Sequence, residues 1–139
     1  MKVEKKSIDC VFCRVFSEHE KMLSNVNHKL FFRGFDQSVS KLILIEQNFF
    51  VIEDIKPTKK THFLIVSKRH YRNFSFLKNY ELDSMKNFFV VLHILKQCLG
   101  GDKSFQLAMN SGKKAGQTIM HLHAHFLSDE SFLYDKLVF

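Results

Sequence analysis

The chain has 139 residues, a length that fits one domain, and 45% are hydrophobic, sixteen of them Phe, which is enough to fill a core. Five glycines and one proline argue against long linkers or low-complexity tracts, and no apolar run approaches the ~18 residues of a membrane span. The net charge of +7 at pH 7 points to an anionic partner, but the lysines fall in scattered clusters such as "KPTKK" (56–60) and "SKRHYR" (67–72). That pattern reads as solvated surface and argues against nucleic acid as the main ligand.

Residues 1–9 read as a tail. The start, "MKVEKKSIDC", has no apolar stretch behind it, so no secretory signal is expected and the cytoplasm is. There, three cysteines are expected to be metal-bound or free rather than paired. "CVFCRVFSE" (10–18) predicts a short helix, and "SNVNHKLFFRGFDQSVS" (24–40) a loop with one short strand. "KLILIE" (41–46) and "NFFVIED" (48–54) are rich in β-branched and aromatic residues, as strands are. "DIKPTKK" (54–60) holds the only proline and reads as a loop, and "THFLIVS" (61–67) as a strand.

Residues 78–99 place Leu82, Met85, Phe89, Leu92 and Cys98 at helical spacing, with Phe88, Leu95 and Leu99 widening the stripe. Gly100 and Gly101 supply the stop. His93 interrupts the stripe, and Cys98 on it reads as core. His19 and His28 read as exposed. "SFQLAMN" (104–110) predicts a strand, "SGKKAG" (111–116) a turn and "QTIMHLHAHFL" (117–127) the last strand, with 128–139 as a tail. The fold class expected is α+β: one domain over 1–139, an antiparallel sheet of about five strands, one long helix and a short N-terminal helix.

The last strand carries His121, His123 and His125 in strict alternation with apolar residues. On a strand the three share one face, while Leu122 and Ala124 point to the other. Neighbouring histidines then lie ~6.7 Å apart at Cα and the outer pair ~13 Å. Three such rings cannot easily close on one ion with Zn–N distances of roughly 2.0–2.1 Å, although two can. The spacing favours different jobs for different histidines.

This block resembles the signature of the histidine triad (HIT) superfamily, in which three histidines alternate with apolar residues. "DIKPTKKTHFLIVSKRH" (54–70) resembles the family's second block, "AMNSGKKAGQ" the loop before the triad, and "CVFC" the cysteine pair that opens many members of the nucleotide-binding-protein branch. The likeness runs from about residue 10 to 127 in the family's order. It implies a nucleotide phosphoramidate or nucleotidyl hydrolase or transferase, with a purine nucleotide as partner. His123 would attack the α-phosphate and form a nucleotidyl-histidine, His125 would lie along the phosphates and help the leaving group, and His121 would complete the site. Gln117 and Thr118 would contact the phosphate, Asn110 the phosphate or ribose side, and Asp54 the ribose hydroxyls. Read alone, Asn110, Thr118 and Asp54 are better explained as ordinary turn and strand residues, and the motif around them reverses that preference. The resemblance also implies a homodimer through the long helix.

Cys10 and Cys13 have C-x-x-C spacing with no local pair to complete a zinc finger. Zinc-containing relatives imply a structural site of Cys10, Cys13, His62 and His121, which leaves His123 free for chemistry. No role is assigned to His70 in "SKRH". The chain departs from the family in three places: 24–40 reads as an insertion, the end lacks the Trp-Pro tail of the nucleotide-binding branch, and nothing after His125 resembles the Pro-Arg of many dinucleoside polyphosphate hydrolases. The alternatives are a dinucleoside polyphosphate hydrolase, a nucleotide-binding module with little turnover, and a hydrolase using His-x-His on a catalytic ion.

Overall fold

The computed structural model describes residues 10–18, 29–30 and 42–134. The expected tail 1–9, most of the 24–40 insertion, the end of the C-terminal tail, His19 and His28 lie outside these. Six strands form one antiparallel sheet: β1 (Lys29–Leu30), β2 (Leu42–Ile45), β3 (Phe49–Glu53), β4 (Thr61–Ser67), β5 (Gln106–Ala108) and β6 (His123–Ser128), in the order β1-β2-β3-β4-β6-β5. Five of them answer to the longer strands expected, and the two-residue β1 to the short strand expected within 24–40, the segment also read as an insertion. Helix α1 (Val11–Glu18) and helix α2 (Ser84–Cys98) complete the α+β fold.

The helices cover opposite faces, and strand alternation decides which side chain meets which. Phe49, Val51, Phe63, Ile65, Ala124 and Phe126 pack with Phe88, Val91, Leu95 and Cys98 of α2. Their neighbours Phe50, Ile52, Leu64 and Val66 pack with Phe12, Cys13 and Val15 of α1. A register shift between Leu42 and Leu44 breaks the alternation in β2, so Leu42 and Ile45 join one core and Ile43 and Leu44 the other. Because both faces are covered, all four residues of β2 and all seven of β4 are buried.

Helix α2 is turned from the stripe the sequence suggests. Leu82 and Phe89 are exposed, and the buried residues are Phe88, Val91, Leu95 and Cys98. Residues 79–81 form a separate 3-10 turn before the helix starts at Ser84, so Leu82 is out of phase with it. The adjacent Phe88 and Phe89 give periodicity no means of choosing between them. Asn87 anchors the helix: its amide donates to Glu46 Oε1 at 2.8 Å and accepts from Asn48 N at 2.7 Å, both beside the β2–β3 turn. Gly100 and Gly101, at φ +112° and +87°, end it as expected, their amides reaching back to Gln97 O and Lys96 O.

Leu95 is fully buried between α2 and the sheet. Leu95→Ala is expected to cost about 2–5 kcal/mol in chemical denaturation. A loss below about 1 kcal/mol would contradict this packing.

A candidate active site beside a four-donor cluster

The last strand begins at His123 rather than at Gln117. Residues 117–122 instead form a bent approach held by backbone bonds, Leu122 N to Tyr71 O at 2.6 Å and His121 N to Ile119 O at 2.9 Å. Buried Gln117 shapes this approach. Its Oε1 accepts from Gly112 N at 2.8 Å, and its amide nitrogen donates to Arg72 O at 2.7 Å and Ile119 O at 2.8 Å. Both amide protons are therefore spent on backbone, and Gln117 holds the loop rather than presenting them to a phosphate as the family resemblance implied. Gly116 is left-handed at φ +93°, and a Cβ there would come within 3.1 Å of the Asn110 amide.

His121 accordingly leaves the row of three, while His123 and His125 share the sheet face under α1. The imidazole of His121 turns away, and its Nε2–H donates to Ser67 O at 2.8 Å. Its backbone carbonyl receives a bond of 2.7 Å from His123 Nδ1. A carbonyl only accepts, so the proton of neutral His123 sits on Nδ1 and the lone pair on Nε2. That Nε2 has no hydrogen-bond partner among the described residues. The ring of His125 lies 5.3 Å from that of His123, centroid to centroid. Phe12 of α1 packs edge-on against two of the rings, 5.0 Å from that of His123 and 5.5 Å from that of His121.

These surroundings favour neutral imidazoles. Burial pushes the His121 pKa down to about 4. Burial also lowers that of His123. His125 is lowered by burial first and then by its histidine neighbours His123 and His62.

Four donor atoms converge beneath α1. Cys10 Sγ lies 3.3 Å from His121 Nδ1, and Cys13 Sγ lies 3.6 Å from it and 3.2 Å from His70 Nδ1. The two imidazole Nδ1 atoms are 3.1 Å apart. A tetrahedral ion with Zn–N of about 2.0–2.1 Å and Zn–S of about 2.3 Å separates such donors by roughly 3.3–3.6 Å, close to this spacing. His121 Nε2 is committed to Ser67 O, so Nδ1 offers a lone pair, and the carbonyl plays the outer-shell part common at metal sites. Neither cysteine is in a disulfide. The residues Cys10, Cys13, His70 and His121 therefore fit a structural zinc.

His62 is not in that set, which corrects the expected ligand list. It lies opposite Leu127 at the far end of β4, whereas His121 bonds to Ser67 at the other end. Five residues of strand, ~16 Å, separate the two positions. His70, just past the end of β4, takes its place. Linear spacing offered no signal for this, but pairing β4 with β6 in register would have placed residues 68–70 beside His121. His62 instead joins Asp54 and His125. Its Nε2 is 2.9 Å from His125 Nδ1 and 3.4 Å from Asp54 Oδ2, and its Nδ1 is 3.2 Å from Thr58 N. Asp54 Oδ1 also accepts from Lys56 N at 2.8 Å, the turn role open to it from sequence alone. Asn110 and Thr118 are exposed and make no hydrogen bond to the histidines among the described residues. Thr118 lines a cavity of about 440 Å³ with Cys10, His70 and Arg72.

Comparison with known proteins places this arrangement. The model of the HIT domain matches residues 36–132. A HIT-like protein of Helicobacter pylori is 32% identical over 88 residues, 63% of this chain and 83% of its own length. Among solved structures, a Zn-bound histidine triad family protein from Mycobacterium smegmatis is 26% identical with a TM-score of 0.59, over 95% of this chain and 81% of that one. A HIT family hydrolase from Legionella pneumophila Philadelphia 1 has a TM-score of 0.61 at 24% identity, over 66% of this chain and 83% of that one.

Metal analysis of the purified protein is expected to find a tetrahedral ion that Cys13→Ser and His70→Ala each lose and His62→Ala retains. Retention in His70→Ala with loss in His62→Ala would restore the ligand set expected from sequence.

Proposed function

The chain belongs to the HIT domain family, and on that premise we propose that it is a nucleotidyl hydrolase or transferase of the phosphoramidase kind, acting on purine nucleotide adducts. The observation that carries the reading is the bond from His123 Nδ1 to His121 O. It presets the tautomer a nucleophile needs and leaves Nε2 as the attacking atom.

In the proposed first step, the Nε2 lone pair forms a bond to the α-phosphorus as the bond from phosphorus to the leaving amine or oxygen breaks. The leaving group departs with a proton from solvent. Water then attacks the same phosphorus, loses a proton, and the N–P bond breaks. Nucleoside monophosphate leaves and His123 regains its lone pair. His125 follows His123 on the same face, at the place for a donor to the phosphoryl or leaving oxygens. Asp54 keeps lone pairs for ribose hydroxyls, and exposed Asn110 and Thr118 sit on the loop leading into the triad. Zinc, held by Cys10, Cys13, His70 and His121, would supply structure and take no part in the chemical steps. The exposed Phe89 and Val90 on α2 suit a second copy of the chain, as a homodimer would require.

Release of AMP from an adenosine phosphoramidate, an adenylated lysine analogue and a dinucleoside polyphosphate tests the reading. Wild type is expected to release AMP from the first two, and His123→Ala to lose activity by about 10³-fold or more. Folded wild type that binds AMP and turns over none of the three would point to a binding module instead. The lowered pKa values of His123 and His125 keep both rings neutral at pH values where an ordinary histidine, near 6.5, is already charged. The acid limb of the kcat/KM profile is therefore expected below about pH 6.5, and a limb above it would contradict this environment.

A further inference from the structure

We propose that His62 is a positioning residue that fixes the tautomer of His125, so that His125 meets the substrate as a neutral hydrogen-bond donor through Nε2–H. This rests on the reaction proposed above, and extends it to a residue the sequence placed in the metal site.

The chain of donors starts at the backbone. Thr58 N–H points at His62 Nδ1 over 3.2 Å. A backbone amide only donates, so His62 Nδ1 must accept. The proton of neutral His62 is thereby placed on Nε2. That atom lies 2.9 Å from His125 Nδ1 and 3.4 Å from Asp54 Oδ2. The shorter contact goes to His125, whose Nδ1 must then accept as well. The one proton of His125 is left on Nε2, which has no partner among the described residues and is not among the buried unpaired atoms.

The scaffold holds this relay firmly. His62 is buried on β4, His125 sits across from Leu64 on β6, and the two rings are 5.2 Å apart between centroids. Thr58 belongs to the turn that Asp54 closes through Lys56 N. Neutral His123 and His125 therefore carry opposite tautomers two residues apart. His123 is protonated at Nδ1 by its bond to a carbonyl, and His125 at Nε2 by its bond to His62. One offers a lone pair to phosphorus and the other offers a proton to oxygen. Neutral His125 thus faces the substrate with its Nε2–H as a hydrogen-bond donor.

The test compares His62→Ala and His62→Gln with wild type, using an adenosine phosphoramidate as probe. Glutamine carries an N–H donor to about the reach of imidazole Nε2. His62→Ala is expected to lower kcat by about 10- to 100-fold with KM little changed, the usual cost of removing an outer-shell partner. His62→Gln is expected to recover most of that loss, whether or not it recovers thermal stability. Nitrogen NMR of histidine-labelled wild type should show His125 protonated at Nε2 and bare at Nδ1. His62→Gln as slow as His62→Ala, His62→Ala as fast as wild type, or a wild-type spectrum with the proton on Nδ1 would each overturn the proposal. A wild type that turns over no substrate would fail the reaction itself, and the nitrogen spectrum would still decide the tautomer.

Discussion

A carbonyl oxygen cannot donate, and the candidate active site depends on that fact at one contact. His121 O accepts from His123 Nδ1 at 2.7 Å. His121 serves both centres: its ring offers Nδ1 to the four-donor cluster and its main chain orients the neighbouring imidazole. The position of its backbone is set by a loop closed on Gln117 and by the two-residue reach to β6. Anything that shifts the cluster also shifts the acceptor of the His123 bond. The two centres are adjacent, and they are coupled through one residue.

Much of this was legible in the sequence because its periods are simple. Alternation in "NFFVIED" and "THFLIVS" gives strands with two distinct faces, and the structure fills both. The alternating histidines part in place: the His121 ring joins the four-donor cluster, while His123 and His125 stay on the strand with their rings 5.3 Å apart. What the sequence could not supply was relative placement. The exchange of His62 for His70 turns on antiparallel register, which exists only once β4 and β6 are paired. The rotation of α2 turns on a 3-10 turn that offsets its start and on two adjacent phenylalanines that suit either face. Gln117 reads equally as a phosphate ligand or a loop clamp until its three backbone partners are seen.

The electrostatics follow from the layering. Sheet and helix enclose the histidines, and among the described residues no carboxylate hydrogen-bonds to His121 or His123 to favour their charged forms. Burial dominates, and it lowers the pKa of both rings, favouring the neutral form. Among the described residues, the carboxylate of Asp54 is placed on the His62 side, where it is 3.4 Å from Nε2. A metal-ready cluster and a ring with an open lone pair both need uncharged imidazoles, and a single enclosure serves them together.

Helix α1 has a consequence for how the protein is divided. It precedes residue 36, where the match to the HIT domain begins. Yet it brings Cys10 and Cys13 to the cluster and seats Phe12 against the rings of His121 and His123. A fragment cut at the domain boundary would keep every histidine of the triad. It would lose two residues of the four-donor cluster and the aromatic wall over the His123 ring, so the unit of homology is smaller than the unit that builds the candidate site.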